Sequence, residues 1–109
     1  MAYNEALARR LRERLEHHHD ITEKAMFGGL SFLLYGHLCC GVIGEDMIVR
    51  VGPDGHAAAM DKPFVRVFDF SGKPMKGWVV VAPQGLDSDK DLQDWVEQGV
   101  SFAATLPAK

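Results

Sequence analysis

Two adjacent cysteines, Cys39 and Cys40, follow a histidine, His37, by two and three residues. A thiol becomes a strong nucleophile when a neighbouring base takes its proton. Residues two apart in a strand share a face, so His37 and Cys39 could lie side by side. The spacing offers no third group to orient the histidine, and buried cysteines usually act as small hydrophobic residues. We therefore expect core thiols and no catalytic residue, so that the chain is not an enzyme.

The run His17, His18 and His19, followed by Asp20, suggests metal binding because imidazole is the commonest metal ligand. Three consecutive side chains cannot all point at one ion while a helix continues through them. Apart from the adjacent Asp20, no acid or cysteine stands at a typical ligand spacing. We expect a solvated helix end, with the histidines near the negative end of the helix dipole, and no metal site.

Glycines recur at positions 28, 29, 36, 41 and 44, a density that invites comparison with phosphate-binding loops. Such loops open a helix directly after a strand, in a G-x-G-x-x-G or P-loop spacing. None of these glycines stands in that pattern, so tight turns and close strand packing account for them. We expect no cofactor.

The segment KPMKGW, residues 73–78, combines two lysines, a proline, a methionine and a tryptophan in what the sequence predicts to be a loop before a strand. Loops of this kind often carry recognition, and Met and Trp are frequent anchors of interfaces. The alternative is that Trp78 fills the core while the lysines stay solvated. Both interpretations remain open from the sequence.

Two amphipathic helices are predicted, one near each end of the chain. The first runs from Asn4 to about His17, with leucines at every fourth position facing one side. The second follows Ser88, whose spacing from Asp91 is that of a capping box. Gly99 lies within its apolar stripe, where it lowers helix propensity. A close approach to a strand or another helix would offset that cost.

Between these helices the apolar period is two, which is typical of strands. Residues 22–51 predict extended segments joined by tight turns, a short helix begins at Gly52-Pro53, and strands are predicted over 64–70 and 78–81. Strands joined by tight turns are antiparallel, because parallel pairing needs a long crossover. We expect one α+β domain over residues 1–109, a two-layer fold with both amphipathic helices packed on an antiparallel sheet.

The 109 residues are 47% hydrophobic and 25% charged, with a formal net charge of −3. That balance disfavours nucleic acid, whose phosphates require a basic surface. The first residues lack the basic and then apolar pattern of a secretory signal, and no apolar run is long enough to span a bilayer. Two adjacent cysteines are best explained as free thiols. We expect a cytoplasmic protein with no membrane contact.

Three blocks of sequence carry a family resemblance: TEKAMFGGL at 22–30, CGV through MIVRVG at 40–52, and DFSGKPMKGW at 69–78. In this order they resemble the TfoX N-terminal domain family, named after a bacterial regulator of competence for DNA uptake. The resemblance implies a compact α+β domain similar to secretion-chaperone folds and a bacterial cytoplasmic setting, and it implies no catalytic residue. In the regulator a second, helical domain follows this one. The present sequence stops directly after its last predicted helix, so we expect a stand-alone domain here.

The sequence thus favours a non-enzymatic regulatory module that acts through protein contacts. Two helices on one face would leave the other face apolar, which predicts a homodimer or a protein partner. The alternative is a small-molecule-binding protein or enzyme, with a pocket formed near Met26-Phe27 and Lys73–Trp78. The candidate interaction residues are Met26, Phe27, Gly28, Gly29, Arg50, Pro74, Met75, Lys76, Gly77 and Trp78.

Overall fold

The computed structural model describes residues 3–18, 20–26, 28–70 and 72–107. This part of the chain forms α1 (Glu5–Leu15), β1 (Ile21–Met26), β2 (Gly29–Leu34), β3 (His37–Ile43), β4 (Asp46–Arg50), α2 (Gly52–Met60), β5 (Val65–Phe70), β6 (Lys73–Val81), a 3₁₀ helix (Pro83–Gly85) and α3 (Asp89–Ala104). The strands form one antiparallel sheet in the order β1-β2-β3-β4-β6-β5. The predicted α+β architecture is confirmed. None of the helices described is long and apolar enough to cross a membrane.

The two end helices pack on one face of the sheet and form the main core with it. Leu7, Leu11 and Leu15 of α1 are buried there, as their four-residue spacing predicts. The side chain of Asn4 caps α1 by accepting the Leu7 N–H at 3.0 Å. Ser88 caps α3 in the same way, which satisfies backbone donors that the first turn of a helix leaves unpaired.

Gly99 brings α3 directly against β3. A Cβ atom at this position would overlap the carbonyl oxygen of Cys39. The glycine therefore permits a helix-to-strand distance that alanine would not, which explains why it is tolerated in the middle of a helix. The close approach predicted from the sequence is confirmed.

The opposite face of the sheet carries a second, smaller apolar cluster. Ile48, Val80 and Phe68 are only 1%, 2% and 4% exposed there, and Ile43, Met75 and Trp78 pack around them. The expectation that this face remains bare is therefore wrong. The β5–β6 hairpin accounts for this, because it brings the Phe68 and Trp78 rings together on this face, with ring centroids 6.2 Å apart.

Strand β6 begins five residues earlier than the sequence predicts. Residues 73–78, expected to form a loop, are the first part of this strand, and residues 73–75 pair with the end of β5 across a turn at Gly72. Pro74 is accepted in the strand because β4 has already ended at this level, so no neighbour on that side needs its missing N–H. The recognition-loop interpretation of this segment is thus wrong in its secondary structure.

Candidate functional site

The end of β4 meets an irregularity of β6, and this meeting point collects most of the candidate residues. Arg50 pairs with Trp78 at the last position of the β4–β6 ladder. On its other side β6 pairs Val79 with Val67 and then Met75 with Phe68. The three intervening residues of β6, 76–78, form a bulge that turns the strand towards the start of α2.

The bulge is tied to the N-terminal part of α2 through both backbone polar groups of one residue, Gly77. The Gly77 N–H donates to Nδ1 of His56 at 2.9 Å, and the Gly77 carbonyl accepts the Val51 N–H at 2.8 Å. Because Nδ1 of His56 accepts this bond, the imidazole is held in the form that carries no proton on that nitrogen. The bonds fix the position of Trp78, the next residue.

Two glycines allow the backbone segments to approach each other here. Gly77 has a φ of +90°, and a Cβ on it would lie 2.9 Å from the carbonyl carbon of Gly52. Gly52 has a φ of +82°, and a Cβ on it would overlap the ring of Phe102 in α3. Both positions therefore need glycine for conformation and for space. We call Arg50, His56, Gly77, Trp78 and Phe102 together the Arg50 corner.

The guanidinium group of Arg50 lies between two aromatic rings. Its central carbon is 5.1 Å from the ring centroid of Trp78 and 5.3 Å from that of Phe102. Both distances are within the range of cation–π attraction. Partial burial lowers the pKa of Arg50 from its ordinary value, yet arginine remains protonated at physiological pH. The corner therefore presents a charged group whose position is set by stacking.

Arg50 differs from most of the other arginines in its partners. Arginines 10, 12, 14 and 66 each have a carboxylate oxygen within 3.3 Å. Within the described part of the chain, no carboxylate pairs with Arg50. Its guanidinium N–H groups are thus not engaged by a carboxylate of the described residues.

The surroundings of the corner combine basic and apolar side chains. Met75 and Trp78 are partly exposed, while Pro74 and Lys76 are exposed on the first part of β6. Asp69 of β5 is exposed opposite Pro74, so the surface is not purely basic. Exposed polar side chains, here Lys76 and Asp69, beside a tryptophan and an arginine resemble a polar rim around an anchoring centre.

The remaining candidates, Met26, Gly28 and Gly29, lie at the other end of the sheet. Strand β1 is separated from β6 by three strands, which is on the order of 19 Å. Gly28 has a φ of +77° in the turn between β1 and β2, and a Cβ on Gly29 would overlap the Val42 carbonyl oxygen. These glycines serve local geometry. The structure does not bring Met26 together with Trp78, so the pocket predicted between them is not formed; Phe27 lies outside the described residues.

The structure also shows where the two cysteines and the neighbouring histidine lie. Cys39 and Cys40 are both buried, and Sγ of Cys39 lies 3.3 Å from the Phe32 carbonyl oxygen. The hydrogen bond with Cys39, together with burial, raises the pKa of the Cys40 thiol well above its ordinary value. Nε2 of His37 contacts the Pro107 carbonyl oxygen at 2.5 Å instead of a thiol. The Cys–His pair considered from the sequence is therefore not formed.

The histidine run lies beyond the end of α1, which the structure places at Leu15. His19 is outside the described residues. Among the residues that are described, no group of three or more His, Cys, Asp or Glu side chains is placed to hold a metal ion.

Two members of the Arg50 corner, His56 and Phe102, were not found from the sequence, and neither was the contact of Gly52 with it. Phe102 counted only as part of the apolar stripe of the last helix, because spacing does not show that it covers an arginine from a distant strand. No sequence pattern marked His56 as part of the site, since its partner is the backbone N–H of a residue 21 positions away. The Gly52-Pro53 pair was recognised as a helix start, and its contact with Gly77 depends on the tertiary fold.

The fold and the corner together define a class: a small α+β domain whose helices cover one face of an antiparallel sheet and whose polar surface centres on a stacked arginine. The family model described as the TfoX N-terminal domain matches residues 13–103 of the 109-residue chain. The chain therefore belongs to the TfoX N-terminal domain family. No curated protein matches the chain.

Proposed function

We propose that this chain is a non-enzymatic, regulatory protein-interaction module and that the Arg50 corner contacts its partner. The observation that carries the proposal is the state of Arg50. Its guanidinium is positioned by Trp78 and Phe102, and no carboxylate of the described residues neutralises it. An arginine held in this way loses little side-chain entropy when it binds, which increases the net gain from each bond it makes.

The chemistry of the corner suits an acidic segment of a protein. A carboxylate can accept two parallel N–H bonds from one guanidinium group. Met75, Trp78 and Pro74 offer apolar contact beside that charge, and Lys76 adds a second cation. Trp and Arg are the residue types most often found at the energetic centre of interfaces. The partner that we infer therefore presents an Asp, a Glu or a chain terminus next to an apolar residue.

Two features support the absence of catalysis. Both thiols are buried, and His37 is bonded to a carbonyl oxygen. A net charge of −3 and free thiols further support a cytoplasmic protein that does not act primarily on nucleic acid. A bacterial origin is part of the same proposal, on the basis of the family.

The test compares Arg50→Ala with Arg9→Ala in capture from an extract of the source organism. Arg9 is an exposed arginine of α1, so the control removes the same side chain away from the corner. We expect the wild type and Arg9→Ala to retain a common protein, and Arg50→Ala to bind that purified protein at least about tenfold more weakly. Circular dichroism establishes that the variants are folded.

Equal binding by the two variants would contradict the proposal. An Arg50→Lys variant separates charge from shape, because lysine keeps the cation and loses the planar fork. Binding restored by lysine would show that attraction by charge alone suffices. Continued loss would show that the stacked, two-pronged geometry is what the partner recognises.

A further inference from the structure

The sheet has two edge strands, β1 and β5, and no described strand pairs with the outer side of β5. The Ala82 N–H donates to the Phe64 carbonyl at 2.8 Å, so residues 64 and 82 form a hydrogen-bonded pair. Such pairs alternate along an antiparallel ladder. Val65 and Val67 therefore direct their N–H and C=O groups away from β6. No backbone hydrogen bond between described residues reaches that outer side.

Two copies of an edge strand can pair symmetrically only in certain registers. When a twofold axis relates two antiparallel strands, one residue of each strand lies directly opposite its own copy. An axis between two neighbouring residue pairs would make those pairs identical, which is impossible because hydrogen-bonded and non-bonded pairs alternate. Each strand can thus be tested for the residue that would lie opposite itself. The side chains at and beside the axis decide whether the pairing is favourable.

Strand β1 fails this test. Its central residues are Glu23 and Lys24. An axis at either of them, the registers with the greatest overlap, places a charge directly opposite the same charge, which destabilises a sheet. Charged residues in the middle of an edge strand are a known means of preventing edge-to-edge association. The exposed β1 edge is thus protected against its own copy.

Strand β5 can pair with its own copy without bringing like charges together. With the axis at Val67, the outward-facing residues match completely: Val67 faces Val67 of the second copy, and Val65 faces Asp69. Arg66 then lies opposite Phe68, so that neither Arg66 nor Asp69 meets a like charge. This register pairs residues 65–69 of one strand with residues 69–65 of the other, because 67 is the midpoint of that segment.

The start of β5 supplies an independent observation. Phe64 is 53% exposed, and among the described residues only Tyr35 is another large hydrophobic side chain of comparable exposure. Its φ is +65°, a conformation that is unusual for a bulky residue. In the register centred on Val67, Phe64 lies opposite position 70 of the second copy, where the added strand would cover it.

We propose that β5 pairs antiparallel with β5 of a second copy of this chain, centred on Val67, to form a continuous twelve-stranded sheet. The interface consists of one strand pair and the Phe64 side chains, so it belongs to the small, reversible class. The twofold axis would place two Arg50 corners on one sheet. The inference rests on the open edge and its register, and it does not depend on the function proposed for Arg50.

The experiment is light scattering after size exclusion, at protein concentrations from about 10 µM to about 1 mM. We expect the mass to rise with concentration towards twice that of the 12.1 kDa chain. Val67→Lys places two lysines opposite each other and should remain monomeric, whereas the matched variant Thr22→Lys on the β1 edge should still dimerise. Phe64→Ser changes an exposed side chain, so it folds and weakens the dimer even if Val67→Lys does not fold.

Cross-linking tests the register itself. Oxidation of Val67→Cys with diamide should join two chains, because residue 67 faces its own copy at about 5.5 Å between Cα atoms. Ala25→Cys on β1 should stay monomeric. A monomer at every concentration, a dimer that persists in Val67→Lys, or cross-linking through residue 25 alone would overturn the proposal. Arg50→Ala should dimerise like the wild type, which separates this result from the test of the corner.

Discussion

Single residues in the Arg50 corner show how a charged side chain can be positioned without an ion pair. Trp78 and Phe102 hold the guanidinium of Arg50 from two sides. The glycines at 52 and 77 let the chain segments that carry those rings approach closely. Positive φ and lack of space both require glycine, so the geometry of the arginine depends on residues that never touch it.

Gly77→Ala should therefore destabilise the protein more than Gly28→Ala does. Both glycines have positive φ, +90° and +77°, so both substitutions carry the cost of that conformation, about 1 kcal/mol. A Cβ on Gly28 meets nothing within 4 Å, whereas one on Gly77 meets the backbone of Gly52. We expect a further loss of about 1–3 kcal/mol at Gly77, measured by urea unfolding. Equal losses would show that the close contact is easily relieved.

At the scale of secondary-structure elements, the position of α3 on the sheet depends on one backbone contact. The helix crosses β3 where Gly99 lies against the Cys39 carbonyl group. Val96 and Val100 flank this contact and are buried in the main core. A short distance between helix and sheet here brings these side chains into dense packing, which is how the core gains from a glycine that weakens the helix itself.

Replacing each of two helical glycines by alanine should change the free energy of unfolding in opposite directions. Gly55 of α2 has space for a Cβ, since its nearest neighbour, the amide nitrogen of Gln98, is 3.4 Å away on a flexible side chain. Gly55→Ala should raise the free energy of unfolding by about 0.5–1 kcal/mol through helix propensity. Gly99→Ala should lower it by about 1–3 kcal/mol because the helix must move. Thermal unfolding of the two variants measures both effects. If Gly99→Ala were more stable than the wild type, the close contact between α3 and β3 would not be what requires glycine at this position.

At the scale of the whole molecule, the sheet is covered on both faces by the chain itself. The end helices cover one face, and the extended β5–β6 hairpin brings Phe68 and Trp78 over the other. The molecule therefore has no bare apolar sheet face, within the described residues, that would drive association. The surfaces that we propose for association are the edge of β5 and the Arg50 corner.

Burial of Cys39 and Cys40 in the main core makes their reactivity a measure of global opening. Both side chains are 0% exposed and lie in the main core, so a thiol reagent reaches them only when that core opens. We expect the native protein to react with Ellman's reagent far more slowly than a free cysteine, and both thiols to react at once in denaturant. Rapid reaction of one thiol in the native protein would mean that this part of the core opens locally.

Much of the architecture could be predicted from the chain alone because its signals are local. The leucines of α1, the Ser88 cap and the period of two in the strands each depend on near neighbours in sequence. The extent of β6 could not be predicted, because Pro74 and Gly77 normally argue against a strand. They are accepted only because β4 ends at this level and the bulge faces α2.

The candidate site divides in the same way. The composition of residues 73–78 and the presence of Arg50 were visible in the sequence, as was the family resemblance. That Arg50 and Trp78 are neighbours, whereas Met26 lies across the sheet, follows from strand order, which periodicity does not encode. Local spacing therefore predicted most of the elements and the two buried helix faces, and three blocks of sequence carried the family resemblance. Which side chains meet was decided by tertiary structure, because cross-strand pairing and the stacking of Phe102 join residues that are far apart along the chain.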